Sequence, residues 1–317
     1  MRRIFLRTLP WLVVLAVISF FFIARVTHPA QLADVEKQLL FFKEKPHAQI
    51  LFAGDMMFDR SIRVATDKNG GDYIFSCLGD TLQKPDLVVA NLEGPITNNS
   101  SVSVGSVMSS PENFTFTFPP ATAALLFAHN IKLVNLGNNH ITNYAAVGVQ
   151  STMKYLQEAG VEYFGDPLEQ SVVYKNIRGV PLAFINYNEF EKNSTAALTV
   201  AQIKEARSVG FMPIVYTHWG VEYAETSPEY VQDLAHQFVD AGAEMVIGSH
   251  PHVVEEGEVY KNKMIYYSLG NFIFDQYFSD PVTRGLLLSV DFTQDGVADI
   301  HEIPVVLNRD RRTCVDN

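Results

Sequence analysis

An α/β fold with a largely parallel or mixed sheet is what this sequence predicts. Three observations carry the prediction. Apolar runs of four or five residues recur along the chain, helical stretches separate them, and nearly every run ends in polar side chains. Short apolar runs bounded by turn signals fit strands buried on both faces. Strands that alternate with helices imply an α/β domain whose strand ends form a ligand crevice.

In chain order, Ile50 to Ala53 ends in Gly54-Asp55, and Leu87 to Ala90 ends in Asn91-Leu92-Glu93. Lys132 to Leu136 ends in Gly137-Asn138-Asn139-His140, and Pro213 to Tyr216 ends in Thr217-His218. Met245 to Ile247 leads into Gly248-Ser249-His250-Pro251-His252, and Met264 to Tyr267 into Ser268-Leu269-Gly270-Asn271. Between them, Ala121 to His129, Gly148 to Ala159, Ala201 to Ser208 and Glu229 to Ala241 read as helices. The stretch from Asn98 to Asn113, rich in Ser, Val and Asn, reads as a mobile loop over the edge where the strand ends converge. Residues 308–317 are polar and read as a frayed tail.

Before the domain, Arg2, Arg3 and Arg7 precede an apolar run from Leu9 to Ala24, and Arg25 follows it. Positive charge ahead of an apolar run places the N-terminus in the cytoplasm and the rest outside. The run is short for a bilayer span yet long for a cleaved signal, and no Ala-x-Ala site follows it. The expectation is an uncleaved signal anchor over residues 1–27, single-pass in the cell membrane. A linker with a short stalk helix (Ala33 to Phe42) follows over 28–46, then the domain over 47–307.

The net charge of −11 argues against a nucleic-acid partner, because such proteins use Lys and Arg to displace phosphate counterions. The same surface would repel an anionic polymer unless a local basic or metal site offset it. The two cysteines are far apart and give neither a zinc-finger spacing nor a disulfide framework. One bridge between them is open to the chain, but the favoured reading is a buried Cys77 thiol and a Cys314 in the loose tail.

The chemistry concentrates in the strand-end residues. His250 and His252, one apart on a turn after a buried run, can direct two imidazoles into one space, and imidazole is a common ligand of zinc, manganese and iron. His218 and His140 stand at other strand ends. Asp55 and Glu93 supply the anionic oxygen a divalent ion requires. Alone, Asp55 would read as a helix N-cap and Glu93 as a solvated loop acid. Beside four histidines both read as ligands. Arg60, five residues past Asp55, could hold a carboxylate or phosphate bidentately, and equally could be a helix-surface arginine. Glu222 could orient His218 or contact substrate.

Gly54-Asp55-Met56-Met57, Asn91-Leu92-Glu93-Gly94-Pro95, Asn138-Asn139-His140, His218-Trp219-Gly220-Val221-Glu222-Tyr223, Gly248 to His252 and Tyr267 to Asp275 resemble, in order, the motifs of the capsule-synthesis CapA family. The resemblance covers about Ala48 to Ile303. It implies a relation to calcineurin-like metallophosphoesterases, with two central mixed sheets flanked by helices, and a part in poly-γ-glutamate synthesis. It also implies one or two divalent ions (manganese, zinc or iron). Asp55 and His252 would serve one position, Asn139, His218 and His250 the other, with Glu93 bridging and His140 as proton donor or substrate contact. The chain departs from the wider superfamily at Met57, where a His ligand is usual, and has Asn143 where an acidic residue often follows the Asn-Asn-His.

No Gly-x-x-x-x-Gly-Lys-Ser/Thr loop is present, so an ATP-driven polymerase is not expected. The expected partners are the cell membrane, membrane polymer-synthesis proteins and an anionic polymer such as poly-γ-glutamate. A stand-alone metal-dependent hydrolase and a non-catalytic binding module are the alternatives.

Overall fold

The computed structural model describes residues 46–316; the signal-anchor and stalk expectations lie outside them. The strands are β1 (His47–Met56), β2 (Leu87–Leu92), β3 (Ile131–Asn135), β4 (Glu162–Phe164), β5 (Val173–Ile177), β6 (Val180–Asn188), β7 (Met212–His218), β8 (Met245–Ser249), β9 (Val254–Glu255), β10 (Glu258–Tyr260), β11 (Lys263–Tyr266), β12 (Ser268–Leu269), β13 (Asn271–Ile273), β14 (Arg284–Thr293), β15 (Gly296–Leu307) and β16 (Thr313–Val315). The helices are α1 (Arg60–Asn69), α2 (Gly79–Gln83), α3 (Ala121–Ala128), α4 (Ala145–Ala159), α5 (Ala196–Ser208) and α6 (Glu229–Ala241).

One sheet runs β16-β15-β14-β1-β2-β3-β4, with β13 also paired to β1, and the other runs β10-β11-β8-β7-β6-β5. Both are mixed. β1 is parallel to β2 and β13 but antiparallel to β14, and β6, β7, β8 and β11 run parallel between two antiparallel edges.

Side-chain alternation explains the layering. Along β1, Ile50 and Phe52 join a core shared with Phe184, Ile214 and Tyr216 of the other sheet, whereas Leu51 and Ala53 join a core shared with Ile62, Leu126, Val149 and Leu156 of the helices. Along β7, Ile214 faces the opposite sheet while Val215 packs with Ile203, Val231 and Phe238 under α5 and α6. Three apolar interfaces thus separate four layers, helix on sheet on sheet on helix, as the period of two in a doubly buried strand requires. This is the sandwich of two central mixed sheets flanked by helices that the resemblance implies.

Two expectations fail at the C-terminus. Cys77 and Cys314 form a disulfide across a sequence separation of 237 residues. The last residues are not frayed: β16 pairs with β15, and Thr313 Oγ1 donates to Phe272 O at 2.5 Å. Polarity alone misled there, because a short edge strand can be polar and still hydrogen-bonded. Only the pairing of β16 brings the two sulfurs together.

Candidate metal centre

The strands place the polar residues in rows. Asn271, Asp55 and Asn91 are register neighbours across β13, β1 and β2, and Asn135 of β3 extends the row. Asn188, His218 and Ser249 form the matching row across β6, β7 and β8. The β1–β2 register shifts between Phe52 and Asp55, an irregularity of the kind that re-aims a side chain at a site. Gly54 makes room for this: a Cβ there would stand 1.9 Å from Gly270 O. Asp55 is not a helix cap, because Asp59 caps α1 by accepting from Arg60 N at 3.0 Å.

Asp55, Glu93 and His218, all buried, each offer a ligand atom within 4.8 Å of the others. Around them, His252 Nδ1 lies 3.4 Å from Asp55 Oδ2 and its Nε2 lies 3.5 Å from Glu93 Oε1. His140 Nε2 is 4.0 Å from the same Glu93 oxygen, and His218 Nε2 is 3.0 Å from Asn139 Oδ1. The His250 ring sits 4.8 Å from that of His218 and 4.3 Å from Phe190, and its backbone N–H donates to Asp55 Oδ2 at 3.1 Å. The six residues expected as ligands and His140 therefore meet at one place, contributed by both sheets.

Hydrogen bonds on the far side of two rings fix their tautomers. Asn143 Oδ1 accepts from Phe116 N at 2.8 Å, so it can only accept from His140 Nδ1 at 3.2 Å. Asn271 Nδ2 donates to His252 O and Val282 O, which leaves its Oδ1 to accept from His252 Nδ1 at 3.0 Å. In these two rings Nδ1 carries the proton and Nε2 turns its lone pair inward, the arrangement in which an outer partner presents an imidazole to a cation. His218 Nδ1 is held at 2.9 Å from Ser249 Oγ and 3.3 Å from Asn91 Nδ2, which sets the orientation of its ring. Asn143 thus does for His140 what an acid would do, without the charge. Asn91 ties the floor together: its Nδ2 donates to Asp55 Oδ1 at 2.7 Å, and its Oδ1 accepts from Asn135 and Asn138, both at 3.1 Å.

The electrostatics agree with a missing positive charge. Burial and the neighbouring Asp55 push Glu93 well above the usual carboxylate range. Burial would raise Asp55 too, but hydrogen bonds from His252, Asn91 and the His250 N–H hold it below its ordinary value. Burial drives His218 well below the usual imidazole range, His140 to about 4 and His250 to about 3, so these rings are neutral at pH 7. Both Glu93 oxygens and His250 Nδ1 are buried with no hydrogen-bond partner. Buried polar atoms left without partners at a cluster of acids and inward lone pairs fit a divalent cation.

Backbone strain gathers here as well. Arg60, Tyr223, His250 and His252 have φ of 48°, 66°, 100° and 60°. Left-handed backbone at such residues costs on the order of 1–3 kcal/mol each and marks functional sites.

Arg60 is not a helix-surface arginine. It pairs with Asp275 at 2.5 Å, and its guanidinium lies over Phe116 at 5.0 Å and Phe274 at 5.4 Å. Glu222 does not orient His218, whose ring nitrogens meet Asn91, Ser249 and Asn139; it stands exposed on the turn after β7 and lines an adjoining cavity. At the departure point, Met57 is buried and its sulfur accepts from Asp59 N at 2.9 Å, bracing the turn into α1. Asn91, Ser249 and Asn271, which sequence reasoning did not place in the centre, all lie in or beside the strand-end motifs. Their position as the polar residue at a strand end was the available signal.

The family model for the bacterial capsule synthesis protein PGA_cap matches residues 49–276. The chain belongs to that family. It is 28% identical over 284 residues to the capsule biosynthesis protein CapA of Bacillus anthracis, covering 83% of this chain and 68% of that one. It is 28% identical over 243 residues to the PGA biosynthesis protein CapA of Bacillus subtilis strain 168, covering 71% and 63%. Among solved structures, TT1561 of Thermus thermophilus is similar with a TM-score of 0.41 at 11% identity, covering 85% of this chain and 98% of that one.

Proposed function

We propose that this protein takes part in poly-γ-glutamate capsule synthesis, export or processing, acting on the polymer at a divalent-metal centre formed by Asp55, Glu93 and His218 with His250, His252 and Asn139. The observation that carries the reading is the convergence of two Nδ1-anchored imidazoles, His140 and His252, and of His218 on the partnerless oxygens of Glu93. A bound cation would supply Lewis acidity toward a carboxylate, carbonyl or phosphoryl oxygen.

The chain's own residues provide the rest. His140, neutral at pH 7 with its Nδ1 proton held by Asn143, offers Nε2 to accept a proton and later return it. Phe116 packs tilted against His140 at 4.4 Å and Phe274 against His252 at 4.7 Å, which limits water beside both rings. Arg60, held between Phe116 and Phe274 and paired with Asp275, brings a positioned guanidinium to the rim, whose remaining N–H groups can meet a substrate carboxylate. The names of the two relatives support the polymer assignment.

The domain is placed outside the cytoplasmic membrane, tethered by the N-terminal anchor. The Cys77–Cys314 disulfide supports that location, because such bonds persist in oxidising compartments. Among the described residues no helix is long and apolar enough to cross a membrane.

The test is chain-length analysis of poly-γ-glutamate incubated with the full-length protein and Mn²⁺, beside a generic phosphodiester. His140→Ala should keep its bound metal and lose turnover by about 10²–10⁴-fold. Cleavage of the phosphodiester alone would replace this reading with a phosphoesterase. No turnover of either, with capsule assembly intact in H140A cells, would leave a binding module.

A further inference from the structure

Beside the centre lies a cavity of about 760 Å³ whose walls come from five separate parts of the chain. Arg60 stands on one side, the loop carrying Ser106 and Asn113 on another, and Arg309 and Arg311 of the C-terminal segment on a third. The cavity adjoins the centre through its lining residues. Arg60 lies over Phe116, whose ring lies 4.4 Å from that of His140, and Tyr223, another lining residue, stacks 6.1 Å from His252.

Its charge runs against that of the molecule. The lining carries three arginines against Glu222 and Asp275, whereas the chain as a whole is at −11. Asp275 is already engaged by Arg60 at 2.5 Å and by Ser61 Oγ at 2.9 Å. Among the described residues neither Arg309 nor Arg311 has a carboxylate partner within 4.0 Å. Arg309 Nη2 donates to Tyr277 O at 3.3 Å, Arg311 Nε donates to Ser61 Oγ at 2.6 Å, and both guanidinium groups lie over the Tyr277 ring. Two oriented guanidinium groups with spare donors, at the mouth of an otherwise acidic protein, attract and hold carboxylates. The remaining wall is aromatic, with Tyr277, Tyr223 and the exposed Phe278 in edge contact with Tyr223 at 5.0 Å.

We propose that this cavity is the polymer-binding subsite, and that Arg309 and Arg311 are specificity residues that take the free α-carboxylates of a γ-linked glutamate chain. The inference rests on the polymer reading above. A γ-linked chain alternates a free carboxylate with two backbone methylene groups. Its repeat therefore matches a wall of arginines interleaved with rings: carboxylates meet Arg309 and Arg311, and methylenes pack on Tyr277, Phe278 and Tyr223. An α-linked chain presents its methylenes on side chains and its amides in a continuous backbone, and fits that alternation poorly. Arg309 and Arg311 lie beyond residue 276, where the family match ends. The two arginines thus belong to this chain's C-terminal segment, which β16 and the Cys77–Cys314 bond hold in place.

Calorimetric titration of the full-length protein with a γ-linked glutamate decamer, an α-linked decamer and inorganic polyphosphate tests it. The wild type should prefer the γ-linked decamer. The double variant Arg309→Ala with Arg311→Ala should bind it at least tenfold more weakly, and R309A alone, whose side chain touches only Tyr277 through its carbonyl and its ring, should fall between. The single variant keeps the test valid should loss of the Ser61 contact loosen the double variant. Unchanged affinity in R309A and in a folded double variant would overturn the subsite while the metal-centre reading stands. A wild type that ignores both glutamate chains, or takes polyphosphate in preference, would overturn this proposal and the polymer assignment together. H218A, titrated in parallel, separates the two: it should lose metal and keep the decamer.

Discussion

Glu93 and Glu244 are both buried, at 0% and 4% exposure, and the fold treats them in opposite ways. Glu244, just ahead of β8, receives Arg207 Nη2 and Lys263 Nζ, each at 2.6 Å, and the Val297 N–H at 3.3 Å. Burial would raise it, but these bonds outweigh burial and hold it below its ordinary value. Glu93 has neither cation nor hydrogen-bond donor, and faces Asp55. A buried acid with its own cations is architecture. A buried acid denied them, next to a second acid, is kept by the fold for a charge that arrives from outside.

Three measurements sharpen or break that contrast. The largest effect is expected for Glu93→Gln: Mn²⁺ affinity should fall by at least about a hundredfold, while the melting temperature of the metal-free protein stays level or rises because a buried repulsion is removed. A metal-free E93Q that is strongly destabilised would make Glu93 another Glu244. Glu244→Gln should behave inversely, leaving metal binding alone and costing about 3 kcal/mol in urea titration, since Arg207 and Lys263 lose their acceptor. The sign of the pH dependence follows: a depressed carboxylate contributes stability above its unfolded value of 4.5 and loses it as pH falls through the lower folded value, so E244Q should narrow its deficit in acid.

The smallest effect belongs to Glu255, buried at 3% with one oxygen unpartnered and raised by burial to about 7. Its protonated form stabilises the fold fully below pH 4.5, and that contribution fades as pH rises through about 7. Melting curves from pH 5 to 8.5 should show a wild-type loss on the order of 2 kcal/mol that E255Q lacks. Parallel curves for the two proteins would remove Glu255 from the account.

What could be read in the sequence was the chemistry at strand ends. Asp55, Glu93, His218 and His252 follow doubly buried runs, and topology alone forces such ends to one edge. The α4 and α5 helices begin earlier than their apolar spacing suggested. For α5 the reason is Thr195, whose Oγ1 accepts from Leu198 N at 3.2 Å and starts the helix at Ala196. The β14–β15 pair carries no chemistry at its ends, so a reading that followed polar strand ends passed over it. The supporting amides were invisible for a different reason. Whether Asn143 or Asn271 touches an imidazole depends on tertiary contacts that no local pattern encodes. The Asn98 to Asn113 loop does border the site, and Asn113 is tied back by its own bond to Ser106 Oγ at 3.0 Å.

The order of strands in the first sheet also decides when the protein becomes competent. β1, which ends in Asp55, is synthesised early, yet one of its flanks is closed by β14 and its tip is braced by β13. Both arrive more than 200 residues later. Contacts of such long range slow folding. A chain interrupted at residue 276 would carry nearly every residue of the centre and still leave β1 with a bare edge, open to pairing with another chain. The late strand β14 is therefore what closes the sheet beside Asp55.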